Sequence, residues 1–237
     1  VFPLGVTTVT FSAVDNEKNS GTAQATITVS DQTAPVITLT GNNELTIAVG
    51  ETYNEQGATA QDNVDGNVST DVIITGTVDT SLTGTYTLSY NVSDTAGNVA
   101  SQISRQITVQ DNSAPIVNAP SNIIVAATNN SGTTASNASI IAFLAAASAT
   151  DGVDGTISVT NNAPSVFPLG TTTVTFSALD SAKNTGTAKA TITVSDQTAP
   201  VLTLTGNSSI TVSVGETYTE QGASALDNID GDISLNI

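Results

Sequence analysis

Hydrophobic and polar residues alternate along most of the chain. Positions 8–14 read Thr-Val-Thr-Phe-Ser-Ala-Val, and positions 25–29 read Ala-Thr-Ile-Thr-Val. Alternation with a period of two, in β-branched residues, is typical of half-buried antiparallel strands. The runs are short and are separated by clusters of Gly, Asn and Asp, a pattern that favours β-sandwiches. We therefore predict an all-β chain built as a tandem array of Greek-key β-sandwiches.

The sequence repeats itself at long range. Residues 1–5, Val-Phe-Pro-Leu-Gly, return at 166–170, and the match continues to the end of the chain with the same offset of 165 residues. This period is too long for one solenoid unit and suits two sandwich modules of different type. Cutting at the linkers, where an Asp is followed by Ala-Pro, predicts a partial module 1–31, complete modules 32–111 and 112–196, and a partial module 197–237. We expect the chain to be a window on a longer array.

Module 32–111 contains about seven predicted strands. A split first strand covers 36–40 and 44–49, a second covers 53–60, and middle strands lie within 68–77. Long alternating strands follow at 84–93 and 101–110. The Gly-x-Tyr ending at Tyr86 indicates a tyrosine corner, in which the phenol bonds to nearby backbone.

Module 112–196 has the same plan with one insertion. Strands are predicted at 123–127, 156–160, 170–179 and 186–195. Residues 137–144 instead show helical spacing of apolar residues after an Asn that is suited to a helix N-cap. We predict one short helix packed across an end of the sandwich.

Two known families are similar to these modules. Residues 112–196 and 1–31 resemble the hyalin repeat, through the Ala-Thr-Asp-x-Val-Asp-Gly loop at 149–155 and Phe-Pro-Leu-Gly-Thr-Thr-Thr-Val-Thr-Phe-Ser-Ala at 167–178. Residues 32–111 and 197–237 resemble the bacterial immunoglobulin-like domain first noted in pesticidal crystal proteins, through Val-Gly-Glu-Thr-Tyr at 49–53, Asp-Asn-Val-Asp-Gly at 62–66 and Ser-Asp-Thr-Ala-Gly-Asn at 93–98. The resemblance implies Ig-like sandwiches and an extracellular bacterial protein. Lys18 and Lys183 replace the Gly found at position 97 of the equivalent turn.

Acidic residues recur at matching places in both module types. In an Ig-like sandwich the entering linker, the loop after the second strand and the turn before the last strand meet at one end. Calcium takes 6–8 oxygen ligands from carboxylates, amides and carbonyls, and these segments supply them. Asp, Asn and Gly also favour turns that bind no metal. The candidate calcium ligands are Asp31, Asp62, Asn63, Asp65, Asp94 and Asn98 in the first complete module, Asp111, Asp151, Asp154, Asp180 and Asn184 in the second, and Asp196, Asp227, Asn228 and Asp230 in the last.

Composition narrows the function further. The chain has no Cys or His, and it carries 21 acidic against 4 basic residues, for a net charge of −17. Without Cys and His, the commonest nucleophile and general base are missing, so we do not expect an enzyme. The negative charge disfavours nucleic acid and anionic membranes as partners. Exposed Glu51, Glu55, Glu216 and Glu220 are interpreted as a solvated strand face.

These observations lead to one main hypothesis and two alternatives. The main hypothesis is a stalk or spacer of a secreted or cell-surface adhesin or matrix fibre, with calcium stiffening the junctions between neighbouring modules. One alternative is a module that binds a glycan or a protein. The other is a fibre subunit that assembles with other copies through its strand edges.

Overall fold

Almost every regular element in the chain is a β-strand, as the alternating pattern predicts. The computed structural model describes residues 1–237, which divide into two units, residues 1–111 and 112–237. The strands of the first unit are β1 (Gly5–Val14), β2 (Ser20–Val29), β3 (Val36–Leu39), β4 (Glu44–Ala48), β5 (Ala58–Asp62), β6 (Gly66–Asn67), β7 (Ile73–Thr75), β8 (Gly84–Asn91) and β9 (Ile103–Gln110). A single 3-10 turn, Ser69–Asp71, lies between β6 and β7.

Two sheets form the sandwich of residues 32–111. One has the order β3-β5-β6 and the other β4-β9-β8-β7, in which β4 and β9 run parallel. Ile37 and Ala60 from the first sheet pack with Leu88, Tyr90 and Ile107 from the second in one buried cluster. The inward-facing residues of the two sheets therefore pack against each other, and the predicted sandwich is confirmed.

Two details of this module differ from the sequence prediction. The second strand begins at Ala58 and not at residue 53, because the preceding residues bond to Arg105 instead, through the Glu55 side chain and the Gly57 carbonyl. The region 68–77 contains only the 3-10 turn and the three-residue β7. The tyrosine corner is confirmed, since the Tyr86 hydroxyl donates to the Leu82 carbonyl at 3.0 Å.

The second unit has twelve strands and one α-helix. These are β10 (Ile116–Asn118), β11 (Ile123–Ala126), β12 (Thr133–Thr134), α1 (Ala138–Ala145), β13 (Ser148–Asp151), β14 (Gly155–Ile157), β15 (Thr160–Asn161), β16 (Val166–Phe167), β17 (Gly170–Leu179), β18 (Thr185–Ser195), β19 (Val201–Leu204), β20 (Ala223–Asp227) and β21 (Gly231–Asp232). The sheet β11-β18-β17-β15 faces the sheet β10-β13-β14, and β19-β20-β21 forms a separate sheet in residues 197–237.

The predicted helix is present in the sandwich of residues 112–196. Asn137 caps α1, because its side-chain oxygen accepts from the backbone N–H of Ser139 at 2.9 Å. The buried ring of Phe143 lies 5.8 Å from the buried ring of Phe176 on β17. The helix therefore covers one end of the sandwich core. No helix in the structure has the length and apolar character needed to cross a membrane.

The hairpin β1–β2 repeats β17–β18 in sequence but not in burial. Phe176 is fully buried by the neighbouring sheet and α1, whereas its counterpart Phe11 is 60% exposed. Lys18 and Lys183 occupy the left-handed region, with φ of 70° and 77°. Their turns keep the same shape as the turn at Gly97, which has φ of 90°.

Candidate metal centre

The first acidic loop is the turn between β5 and β6. Asp62 ends β5 and pairs with Gly66, whose φ of 74° needs the freedom of glycine. Asp62 Oδ1 accepts the backbone N–H groups of Val64 at 2.8 Å and Asp65 at 2.9 Å. The bond from Asp65, followed by the bond from Val64, lowers the pKa of the Asp62 carboxyl. The loop therefore holds Asp62 as a carboxylate of fixed orientation.

Two more carboxylates meet Asp62 at this end of the sandwich. Asp31 comes from the linker after β2, and buried Asp94 comes from the turn before β9. One oxygen from each of the three carboxylates lies within 4.8 Å of the other two. The buried Oδ2 atoms of Asp31 and Asp62 have no hydrogen-bond partner. The cluster, which we call the junction cluster, thus concentrates negative charge and keeps two acceptors unsatisfied.

Asn98 holds the third carboxylate and the linker together. Asp94 Oδ1 accepts the backbone N–H of Asn98 at 2.7 Å, and Asp94 Oδ2 accepts its side-chain N–H at 2.7 Å. The same side-chain amide donates to the Asp31 backbone carbonyl at 3.3 Å. The Asn98 side chain therefore connects the linker at Asp31 to the turn that carries Asp94.

The second unit repeats these parts in the other module type. Asp151 Oδ1 accepts from the backbone N–H groups of Val153 at 2.7 Å and Asp154 at 3.1 Å, and its buried Oδ2 has no partner. Asp180 accepts from the backbone and side-chain N–H groups of Asn184 at 2.7 and 2.8 Å. Ligand oxygens of Asp151 and Asp180 lie within 4.8 Å of each other. Asp111, the last residue of the first unit, is 7% exposed.

A third cluster lies between the linker after β18 and the β20–β21 turn. It joins Asp196, Asp227 and Asp230, of which only Asp227 is buried. Asp227 Oδ1 accepts hydrogen bonds from the backbone N–H groups of Asp230 at 2.9 Å and Ile229 at 2.7 Å. Both bonds lower the pKa of the Asp227 carboxyl, the bond from Asp230 more than the bond from Ile229. The exposed Asn228 donates to the Ala127 carbonyl at 3.5 Å, so this loop touches the preceding module.

Two predicted ligands, Asp65 and Asp154, accept hydrogen bonds from the neighbouring turn. Asp65 Oδ2 accepts the backbone N–H of Thr95 at 2.7 Å and its hydroxyl at 2.8 Å. Asp154 makes the matching bonds to Ser181, at 2.6 Å from the backbone and 2.9 Å from the hydroxyl. These carboxylates clamp the acidic loop to the last turn and lie outside the carboxylate clusters. Asn63, another predicted ligand, is exposed.

The donor set of the junction cluster suits a hard divalent cation. Its side chains offer carboxylate oxygens only, and the chain has no Cys or His to attract a softer metal. A buried oxygen without a hydrogen-bond partner costs free energy unless a ligand satisfies it. The residues present therefore fit calcium, which prefers several oxygen ligands in flexible geometry.

The sequence analysis missed a buried ion pair in the first unit. Arg105 is fully buried, and its guanidinium forms an ion pair with Glu55, whose side chain is 24% exposed. Burial alone would raise the pKa of Glu55. Hydrogen bonds from Tyr53, Tyr90 and the Gly57 N–H act in the opposite direction, as does the charge of Arg105. Together they outweigh burial and lower the pKa of Glu55. Glu55 is thus no part of a solvated face. The available signal was Arg105 itself, which shares the inward face of β9 with Ile103, Ile107 and Val109.

Comparison with known proteins supports both resemblances seen in the sequence. Residues 37–109 match the family described as Bacterial surface protein, Ig-like domain, and residues 110–194 match the HYR domain family. Hyalin from Strongylocentrotus purpuratus is 32% identical over 232 residues, which make up 92% of this chain and 19% of hyalin. The chain therefore spans about a fifth of the length of this relative.

The solved structures that the chain matches have low sequence identity to it. The lipoprotein BT2262 from Bacteroides thetaiotaomicron is 20% identical, with a TM-score of 0.31 over 62% of this chain and 61% of that chain. The protocadherin GammaB4 extracellular domain is 16% identical, with a TM-score of 0.39 over 93% of this chain and 44% of that chain. By these family matches, residues 37–109 form a bacterial surface Ig-like domain and residues 110–194 form an HYR domain, which are repeat domains of the extracellular, adhesion type.

Proposed function

We propose that this chain is part of a stalk or spacer whose module junctions are stiffened by calcium. The observation that carries the proposal is the junction cluster of Asp31, Asp62 and Asp94, with buried, unsatisfied oxygens on Asp31 and Asp62. Its three members come from a linker, an acidic loop and a turn of the next module. Asp31, Asp62 and Asp94 would hold the ion, and backbone carbonyls or water would complete its shell.

The electrostatics of the cluster favour a divalent cation. Like charges held within 4.8 Å of one another repel, and a net charge of −17 adds to the local negative potential. A bound calcium ion replaces this repulsion by attraction and satisfies the two buried oxygens. Backbone N–H donors already fix Asp31 and Asp62 through their Oδ1 atoms, so little conformational entropy is lost on binding.

The mechanical consequence follows from the origin of the ligands. Relative motion of neighbouring modules is the default when their interface is small. Asp31 belongs to the linker that follows β2, whereas Asp62 and Asp94 belong to the body of the next sandwich. An ion that bonds all three fixes the linker to the sandwich end, and Asn98 reinforces the same connection from the side. Calcium would thereby reduce the hinge freedom between modules.

Residues 196–230 contain a related cluster after the HYR domain. Asp196 lies in the linker, and Asp227 and Asp230 lie in the following loop. Two of the three are exposed, so we expect weaker calcium binding there than at the junction cluster. The proposal therefore includes this cluster as a site of lower affinity than the junction cluster.

Small-angle X-ray scattering with and without calcium tests the mechanical role. We expect calcium to narrow the distribution of conformations of the full chain, seen as a more rigid profile in a normalised Kratky plot. The Asp94→Asn variant should lose part of this response. An unchanged profile for the wild-type chain at saturating calcium would contradict the spacer mechanism. A glycan- or protein-binding role would instead appear as ligand binding without any calcium-dependent change in shape.

A further inference from the structure

The acidic loop at residues 227–231 contacts the domain that precedes it in the second unit. Ile229 is partly buried and packs against the hydrophobic core cluster of the HYR domain, whose buried members all lie within residues 125–194. Beside it, the Asn228 side-chain N–H donates to the Ala127 carbonyl at 3.5 Å. Asn228 and Ile229, which we call the loop tip, therefore cross the boundary between two modules.

The surface that the loop tip meets is the end of the HYR sandwich where the chain leaves it. Ala127 directly follows β11, is buried, and donates its backbone N–H to the Ser195 carbonyl at 2.9 Å. Ser195 ends β18 and is followed at once by Asp196 of the linker. Ala127 thus lies beside the start of the linker, at what we call the exit end of the HYR domain.

Bonds internal to the loop hold its tip in a fixed shape. Asp227 pairs with Gly231 across the turn, and Gly231 has a φ of 74°. Asp227 Oδ1 accepts the backbone N–H of Ile229 at 2.7 Å and that of Asp230 at 2.9 Å. Because the tip is already ordered, it loses little conformational entropy when it docks. Burial of the Ile229 side chain against the apolar core then favours the contact.

The acidic loops of the two module types differ at the residue before the apolar one. The Ig-like type reads Asp-Asn-Val-Asp at 62–65 and Asp-Asn-Ile-Asp at 227–230, whereas the HYR loop reads Asp-Gly-Val-Asp at 151–154. Since Gly152 has no side-chain amide, the HYR loop lacks the group that bonds to the Ala127 carbonyl. The exit end therefore fits the loop of an Ig-like module better than the loop of a second HYR domain.

We propose that the exit end of the HYR domain is a docking surface for the acidic loop of the Ig-like module that follows it. Ile229 is the apolar anchor of this contact, and Asn228 is the residue that selects the module type. The contact needs no metal ion, because it consists of an apolar side chain and a neutral amide. It therefore orients residues 197–237 on the HYR domain even without calcium, and both members of the loop tip are positioning residues.

Double electron–electron resonance on the full chain in EGTA tests this proposal. The chain has no Cys, so spin labels at Thr187→Cys on β18 and Thr203→Cys on β19, both exposed positions, report one distance between the two modules. We expect a narrow distance distribution for this labelled reference chain. Ile229→Ser should broaden it about twofold or more, because relative motion is the default without an interface. Ile229→Val, which keeps an apolar anchor, should leave it narrow.

Val64 supplies the matched control. It has the same place in its loop as Ile229 and is 43% exposed, and residues 1–31 contain no counterpart of Ala127. Val64→Ser should therefore leave the distance distribution unchanged, whereas Asn228→Gly, which copies the HYR loop, should broaden it.

Three results would overturn the proposal. They are a broad distribution for the reference chain in EGTA, an unchanged one for Ile229→Ser, and equal broadening by Val64→Ser. An unchanged distribution for Asn228→Gly would overturn the selection of module type by the amide. Because every measurement is made without calcium, these results do not depend on whether the acidic clusters bind the ion.

Discussion

Asn98 donates its side-chain N–H to the backbone carbonyl of Asp31, which lies 67 residues earlier in the chain, at 3.3 Å. The same amide donates to Asp94, so one side chain connects the linker to the turn that precedes the last strand. This contact brings Asp31 to the sandwich end that carries Asp62 and Asp94. The junction cluster therefore depends on a contact between the linker and the following module, and not on the acidic loop alone.

Calcium should raise the thermal stability of the chain. A ligand present at 100 times its Kd stabilises the folded state by about 2.7 kcal/mol. A change of 1 kcal/mol shifts Tm by about 4–8 °C in a domain of about 60–100 residues, the size of one module. Differential scanning calorimetry in calcium, compared with EGTA, should therefore show an increase of several degrees. Sodium chloride at matched ionic strength is the control for charge screening. An equal increase in sodium chloride would attribute the effect to screening rather than to a bound ion.

The Asp94→Asn substitution should weaken calcium binding by about tenfold or more, which corresponds to roughly 1.4 kcal/mol. It removes one carboxylate from the junction cluster and keeps the size of the side chain. Asp71→Asn, an equal change at an exposed position in the 3-10 turn, should leave the affinity unchanged. Isothermal titration calorimetry measures both. Equal losses in the two variants would mean that only the net charge matters.

Replacing Asp65 should reduce the stability of the calcium-free fold instead. Asp65 accepts the backbone N–H and the hydroxyl of Thr95, so Asp65→Ala removes an acceptor that links two loops. We expect a loss of about 1–3 kcal/mol in the free energy of unfolding, measured by urea denaturation in EGTA. The ratio of calcium ions bound per chain should stay the same. A lower stoichiometry would show that Asp65 is itself a ligand.

The buried ion pair should matter for folding of the first unit. Arg105→Met leaves Glu55 without its cation, and removal of one partner from a buried pair costs about 3–5 kcal/mol. The double substitution Arg105→Met with Glu55→Gln should recover part of this loss, since no unpaired charge remains. Lys189→Met, on an exposed position of β18, is the control and should change little. Urea unfolding monitored by circular dichroism gives the comparison.

Stability without calcium should fall in acid because of the Asp residues that open the acidic loops. Backbone hydrogen bonds lower the pKa of the Asp62 carboxyl in the folded state, the bond from Asp65 more than the bond from Val64. The Asp151 carboxyl has its pKa lowered in the same way, by Val153 and then by Asp154. The unfolded value is about 3.9. This stabilisation is therefore complete above about pH 4 and is lost as the pH falls through the lowered folded pKa.

Thermal melts in EGTA between neutral pH and about pH 3 measure this effect. Asp62→Asn keeps an oxygen that can accept the loop N–H bonds but no longer titrates. This variant should therefore show a shallower loss of Tm in acid than the wild type. An identical pH profile would contradict the assignment of the acid sensitivity to the loop.

The strands and the loops could be predicted from the sequence to different degrees. Alternation located β8, β9, β17 and β18 well, because each has one buried and one exposed face. The cap at Asn137 located α1 for an equally local reason. Residues 53–57 were wrongly assigned to a strand, because their conformation depends on Arg105, about 50 residues away in sequence. Local pattern carries no information about such a contact.

The candidate site, too, could be predicted from the sequence only in part. The meeting of Asp31, Asp62 and Asp94 was predicted from the topology of the Ig-like sandwich, which places the three segments at one end. The hydrogen bonds from Thr95 to Asp65 and from Ser181 to Asp154 were not predicted, because they depend on which way each carboxylate turns within its loop. Spacing alone cannot distinguish a carboxylate that faces a cluster from one that clamps a neighbouring turn.

The most direct test of the calcium proposal is a crystal structure of the chain grown with calcium, with anomalous difference density used to locate the ion. The account predicts a peak at about 2.3–2.6 Å from carboxylate oxygens of Asp31, Asp62 and Asp94 together. A junction cluster without such a peak at saturating calcium, or a peak bound to Asp62 alone, would contradict it.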